Sequence, residues 1–183
     1  PNSQLWNPGN NPFCDADGPI YIATDLIIPS GANVQANNLE FRFGEDARLI
    51  IHRGGRLSAY NTTFTSACER WPGIRVEGNI ANLYQFDNPA LPHDMEQGEL
   101  VLDNSTVENA HVGVWCTREK VDGTPNKAYN GGFVRAYYST FKDCITGVDL
   151  QPYRRFDAPL PLTLIELPNR SLFAGCQFKT TAD

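Results

Sequence analysis

No stretch of the 183-residue chain stays apolar for the roughly 18 residues that a membrane-spanning helix needs, so no helical membrane span is expected. Helical patterning is missing too. No i, i+3, i+4, i+7 apolar stripe of useful length appears, which excludes an α-helical core. Basic residues are outnumbered: 15 Lys and Arg stand against 21 Asp and Glu, a formal charge of −6. Nucleic acid is therefore not an expected partner, because phosphate binding wants clustered cations. The motifs of common catalytic sites are absent, with no GxSxG, HExxH, Walker A loop or GxGxxG. The five cysteines contain no CxxC, which argues against a zinc or thioredoxin-like site. They leave two readings open: one or two disulfides in an oxidising compartment, or unpaired thiols packed as small hydrophobes. No cofactor is expected. Asp15 and Asp17 are carboxylates of the kind calcium uses, but no ligand-rich continuation follows, and an Asx turn is the preferred reading.

What the chain does contain is one structural phrase written several times. "GELVLDNSTVENAHVGVWC" from Gly98 matches "GFVRAYYSTFKDCITGVDL" from Gly132. Each runs from Gly through a short alternating segment to Ser-Thr-apolar, crosses a polar turn, and restarts at Gly-Val. The two landmarks move together, from 107 to 141 and from 113 to 147, a shift of 34 residues in both cases. An earlier copy holds Thr63-Phe64 and Gly73-Ile74, and a partial later copy is "LFAGCQFKT". Short β-prone runs repeating every few tens of residues indicate stacked coils. The expected fold is an all-β, right-handed parallel β-helix of about five coils, three strands to a coil. A β-sandwich also has short strands at this spacing, but has no reason to repeat these landmarks.

Residues 1–19 read as a lead-in or cap, rich in Pro, Asn and Gly, and residues 20–183 as the β-helix domain. Ile20 and Ile22, Leu39, Phe41 and Phe43, Leu49 and Ile51, and Leu57 and Ala59 alternate with polar neighbours and are assigned to the core. Phe64, Val107, Phe141 and Phe178 should form one inward column, and Ile74, Val114 and Val148 another. In the second full copy, Leu100–Leu102 is one strand, Ser105–Glu108 the next, and Gly113–Thr117 the third, with a corner at Asn109–Val112. The tight turn falls at Asn61, Asn104, Tyr138 and Gly175, where left-handed backbone suits Asn and Gly. The Asn-x-Ser/Thr sites at Asn61, Asn104 and Asn169 are accordingly read as turn chemistry rather than glycosylation acceptors. The cysteines do not share one stacked column, so no disulfide is expected between aligned positions. Long excursions leave at Gly78–Gln97, Arg118–Gly131 and Pro152–Arg170; loops of that length are functional or disordered. "LFAGCQFKT" opens a coil whose Gly-Val strand does not follow, which suggests a piece of a longer chain, or self-association at that end.

The strings "ARLIIHRGGRLSAYNTTFTS", "WPGIRVEGN", "NSTVENAHVGV" and "STFKDCITGVDL" resemble secreted right-handed parallel β-helix proteins, over about residues 20–181. The resemblance is nearest to large bacterial cell-surface proteins exported by the type IX pathway. It implies a pectate-lyase-like fold and a secreted or cell-surface location. Enzymes on that fold place clustered acidic residues on the face of the third strand; here that face offers Asp149, with Arg75 and Glu77 two coils away and no Asp-Asp pair.

Two functions follow as expectations. The first is a non-enzymatic surface module, an adhesin or filament segment able to bind a glycan or a cell-surface partner. The alternative is a carbohydrate-active enzyme, a lyase or hydrolase, on the same fold. Inward Ile74, Val114 and Val148 force Arg75, Trp115 and Asp149 outward. With Glu77, Thr117 and Gln151 beside them, and Tyr153 and Arg154 in a flanking excursion that with Tyr84, Phe86, Tyr129 and Arg155 walls the site, they form the candidate ligand face. Trp115 is its centre, because an indole stacks on the apolar face of a sugar ring.

Overall fold

The structure, a computed structural model, describes residues 3–13, 18–80, 96–153 and 170–181, and the backbone of Phe156–Asp157 and Ile165–Glu166. It is all-β, with three parallel sheets. The first stacks Ser3–Trp6, Asn33–Asn37, Arg56–Tyr60, Glu99–Asp103, Phe133–Tyr137 and Leu172–Ala174. The second stacks Ile20–Ile22, Glu40–Phe43, Thr63–Ser66, Thr106–Glu108, Thr140–Lys142 and Gln177–Lys179. The third stacks Leu26–Ile28, Arg48–Ile51, Trp71–Val76, Ala110–Trp115 and Thr146–Asp149. The chain visits the sheets in rotation and returns to each one strand further along. Five circuits contribute a strand to all three sheets, and a sixth contributes to the first two.

Alternation along the strands fills the space between the sheets. In the second sheet Ile20, Phe41, Phe64, Val107, Phe141 and Phe178 are successive register partners. In the third, Leu26, Leu49, Ile74, Val114 and Val148 are. The expected columns are both present, and each extends to earlier circuits. Equal inward positions put like rings on one another: Phe41 stacks on Phe64 at 5.5 Å and Phe141 on Phe178 at 4.8 Å, both with 7° between planes. Trp71, fully buried, stacks on Phe43 at 4.3 Å and donates its indole N–H to Glu108 O at 2.9 Å. Each fully buried side chain among them, such as Phe41, Phe64 and Phe141, contributes roughly 1.5–3 kcal/mol.

The Ser-Thr-apolar landmark has a physical cause. At the corner between the first and second sheets, Asn38, Asn61, Asn104, Tyr138 and Gly175 all take left-handed φ values between 47° and 66°. Asn and Gly tolerate that region best. After the last four, Thr62, Ser105, Ser139 and Cys176 point inward. Ser105 Oγ accepts from the Thr62 N–H at 3.2 Å and donates to carbonyl oxygens of Ala59 and Asp103, while Ser139 Oγ accepts from the Ser105 N–H at 3.1 Å. The small polar side chain thus ties one circuit to the next where the sheets interrupt their ladders. Cys176 repeats the place, its Sγ 3.3 Å from Ala136 O.

Two boundaries differ from expectation. The third strand of the repeat begins at Ala110, not Gly113, because Asn109 alone turns the corner at φ 56°. Ser3–Trp6 pairs in parallel with Asn33–Asn37, so the first circuit starts inside the segment read as a lead-in. Part of that segment does cover the core: Phe13 meets Trp6 and Phe41 edge-on at 5.6 and 5.8 Å. Asp15 and Asp17 lie outside the described residues. At the opposite end Phe178 is 56% exposed on the side away from Phe141.

Cys68, Cys116, Cys144 and Cys176 are free thiols; Cys14 lies outside the described residues. Burial pushes the Cys116 and Cys144 thiols up, with the Asp149 carboxylate adding to the effect at Cys116. These two therefore behave as small packed hydrophobes rather than nucleophiles.

Candidate functional site

The site begins with a backbone irregularity in the third sheet. Gly73 pairs with Val112 and Ile74 with Val114, so Gly113 is an extra residue and the strand bulges there. A Cβ on Gly73 would lie 1.7 Å from Val112 O, and one on Gly113 would lie 2.4 Å from Gly147 O. Only glycine permits these approaches. Beside the bulge a cleft of about 330 Å³ opens on the outer face, with Gly73 in its lining. Trp115, Arg75, Arg48, Pro72, His111, Glu45 and Asp46 line it.

The outward column follows the expected register: Ile50, Arg75, Trp115 and Asp149 are successive partners. Trp115 is half-buried, and its Nε1 is buried with no hydrogen-bond partner among the described residues. Arg75 shares the cleft, with 13% of its side chain exposed. Asp149 lies one strand further on, and both its carboxylate oxygens accept from Gln151 Nε2, at 2.7 and 2.8 Å. Tyr153 packs over Gly131, close enough that a Cβ there would be 2.7 Å from its ring.

Glu77 sits under the face rather than on it. It is 1% exposed, accepts from Arg118 Nε at 2.7 Å and Nη2 at 3.0 Å, and lies 2.8 Å from His52 Nδ1. Arg75 Nε is 3.3 Å away. Thr117 is also buried, donating to Asn130 Oδ1 at 2.7 Å. Arg154, Arg155, Tyr84 and Phe86 lie outside the described residues.

The excursion after Trp115 is what covers Glu77. Arg118–Glu119 and Pro125–Asn126 form a two-stranded antiparallel pair, followed by a 3₁₀ turn at Lys127–Tyr129. Glu119 takes both its carboxylate oxygens to Arg48 and lies 3.5 Å from Arg75. The guanidinium groups of Arg53 and Arg118 lie over the Tyr129 ring, at 3.9 and 4.2 Å. Burial lowers the Arg75 pKa, with Glu77 and Glu119 opposing it. At Arg118 burial pulls the same way, but the bonds and charge of Glu77 outweigh it and the net shift is upward. Buried pairs of this kind fix geometry more than they add stability, and removing one partner leaves a charge stranded.

Strand alternation places Arg75, Trp115 and Asp149 in one outward column, of which Arg75 and Trp115 line the cleft. Arg48, Pro72, His111, Glu45 and Asp46 line it too and were not expected from the sequence. The signal for Arg48 was available: it pairs with Gly73, one circuit earlier in the same sheet. Glu45 and Asp46 lie in the turn between Glu40–Phe43 and Arg48–Ile51, where strand alternation gives no facing. The clamp formed by Arg118 and Glu119 has no periodic signature.

Compared with known proteins, the chain matches no family model, no curated protein and no solved structure. What the fold and site define is a class: an all-β chain of three parallel sheets traversed in rotation, with an aromatic, ion-paired cleft on the third. Among the described residues no helix is long and apolar enough to cross a membrane, and no three His, Cys, Asp or Glu side chains converge on a metal position.

Proposed function

We propose that the chain is a right-handed parallel β-helix and a non-enzymatic module of a secreted or cell-surface protein, an adhesin or filament segment that binds glycans through its third sheet. The rotation through three sheets supports the helix, and parallel crossovers of this kind are right-handed in nearly all proteins. The sequence resemblance to type IX-exported surface proteins supports the location. The observation that carries the binding role is the cleft itself, where the half-buried Trp115 indole stands beside Arg48, Arg75 and the Glu45–Asp46 pair. An aromatic platform ringed by a few hydrogen-bonding groups is what a sugar needs.

The non-enzymatic reading draws on how the carboxylates are used. Glu77 is held by Arg118, His52 and Arg75, and Glu119 by Arg48 and Arg75. Carboxylates engaged by arginines in this way are not free to face a bound substrate, and a general acid or base must reach the proton it moves. The enzyme alternative would fall to Glu45, Asp46 and His111, which line the same cleft.

Trp115→Ala tests the reading on a glycan array and by titration calorimetry. Binding should weaken by about 1–3 kcal/mol, the scale of an aromatic hot spot, with the thermal unfolding transition retained. Unchanged affinity in a folded variant removes the site. New reducing ends or unsaturated uronates during incubation would replace the binding module with the enzyme.

A further inference from the structure

We infer that the Trp115 cleft takes an uncharged sugar, and rejects uronates, sulfated sugars and amino sugars alike; this rests on the glycan-binding reading above. The two guanidinium groups that line the cleft already have anions. Arg48 is bonded to both oxygens of Glu119, and Arg75 lies between Glu77 at 3.3 Å and Glu119 at 3.5 Å. The third guanidinium of the cluster, Arg118, is taken by Glu77. Two further carboxylates, Glu45 and Asp46, stand exposed at the cleft. Among the described residues named here, four carboxylates stand against three guanidinium groups before any ligand arrives.

An anionic sugar would have to pass Glu45 and Asp46 and then compete with Glu119 for Arg48. Displacing Glu119 would strand a partly buried charge, which is unfavourable. A cationic sugar meets the opposite difficulty. Its attraction to Glu45 and Asp46 is that of solvent-exposed pairs and is weak, and the carboxylates further in, Glu77 and Glu119, are already matched by arginines, so its ammonium group would lose water for little return.

A neutral hydroxyl meets neither barrier. It donates to the carboxylates of Glu45 and Asp46, and it accepts from N–H groups of Arg48 and Arg75, since a guanidinium has five. Trp115 and Pro72 supply the apolar contact for the ring face. Mixed donors and acceptors of near-zero net charge select polyhydroxylated, uncharged ligands.

The test uses the protein's own tryptophans. Trp6 is 8% exposed and Trp71 fully buried, whereas Trp115 is half-buried, so acrylamide-quenchable emission reports mainly on Trp115. The probes are cello-, xylo-, manno- and arabino-oligosaccharides, set against oligogalacturonates, sulfated galactans and chitosan oligosaccharides. At least one neutral series should shield Trp115 from acrylamide, with affinity changing less than about twofold between about 0.05 and 0.5 M NaCl. The charged series should bind at least about tenfold more weakly. Replacing the mouth carboxylates in a Glu45→Lys, Asp46→Lys double variant should raise affinity for oligogalacturonate. Tighter binding of any charged series by the native protein overturns this inference and leaves the glycan reading standing. Shielding by no sugar at all overturns both.

Discussion

At Gly73 the backbone takes φ +106°, and an added Cβ would sit 1.7 Å from the Val112 carbonyl oxygen. At Gly123, in the excursion, φ is +78° but no heavy atom lies within 4 Å of the added Cβ. The two positions separate the conformational from the steric role of glycine. Gly123→Ala should lose only the left-handed preference, about 1 kcal/mol. Gly73→Ala must also push apart two strands of the third sheet, and should lose about 3 kcal/mol or more. Urea unfolding of the two variants, at unchanged m, measures the difference. Equal losses would show that close approach is not what Gly73 provides. The need for glycine at 73 was legible in the sequence only as a repeated landmark, since nothing local indicates how near Val112 comes.

Between the first and second sheets, the corner is an element in its own right: a left-handed residue followed by an inward hydroxyl. The ladder it carries joins Thr62 to Ser105 and Ser105 to Ser139. Ser105→Ala leaves the Thr62 N–H, which is buried, without its acceptor, and should cost about 1–3 kcal/mol. Ser105→Thr should recover most of that, because Thr62 already fills the equivalent place one circuit earlier, its Oγ1 donating to Ala36 O at 3.2 Å. Chemical denaturation of the pair checks this; a threonine variant no better than alanine would mean the hydroxyl is not the tie. The Arg118–Glu119 clamp is an element of another kind, docked by charge rather than by repetition.

Over the whole molecule the two ends differ. Phe13 covers the core beside Phe41, whereas Phe178 is 56% exposed and the nearby segment is tied down by Asp143. The Asp143 carboxylate accepts from the Thr181 hydroxyl at 2.6 Å and from the Thr181 N–H. These bonds, the hydroxyl's first, hold its pKa below the usual carboxylate range. A depressed carboxylate contributes stability that is fully present above its unfolded value, about 3.9, and lost as pH falls through the folded one. Below about pH 4 the strand Gln177–Lys179 should therefore open before the central circuits do. Amide hydrogen exchange, corrected for intrinsic rates, should show this acid-dependent step, and Asp143→Asn should abolish it. Simultaneous loss of protection in all circuits would refute the local release.

The columns were determined by the sequence alone. A period of two along each strand fixes which side chains face inward, and the repeated landmarks fix which of them stack: the 34-residue shift sets Val107 on Phe141 and Trp115 beside Asp149, and the shared Gly-apolar restart at Gly73-Ile74 and Gly113-Val114 sets Trp115 beside Arg75. The left-handed corners were legible too, because Asn and Gly tolerate an angle that other residues avoid. The clamp was decided only by the tertiary structure. Arg118 reaches Glu77 across 41 residues and Arg48 reaches Glu119 across 71, and no period links them. Alternation along the strand left Glu77 beside the ligand face; the docked excursion put it underneath. Side-chain periodicity is a property of a strand, but the charge that covers it comes from wherever the chain next folds back.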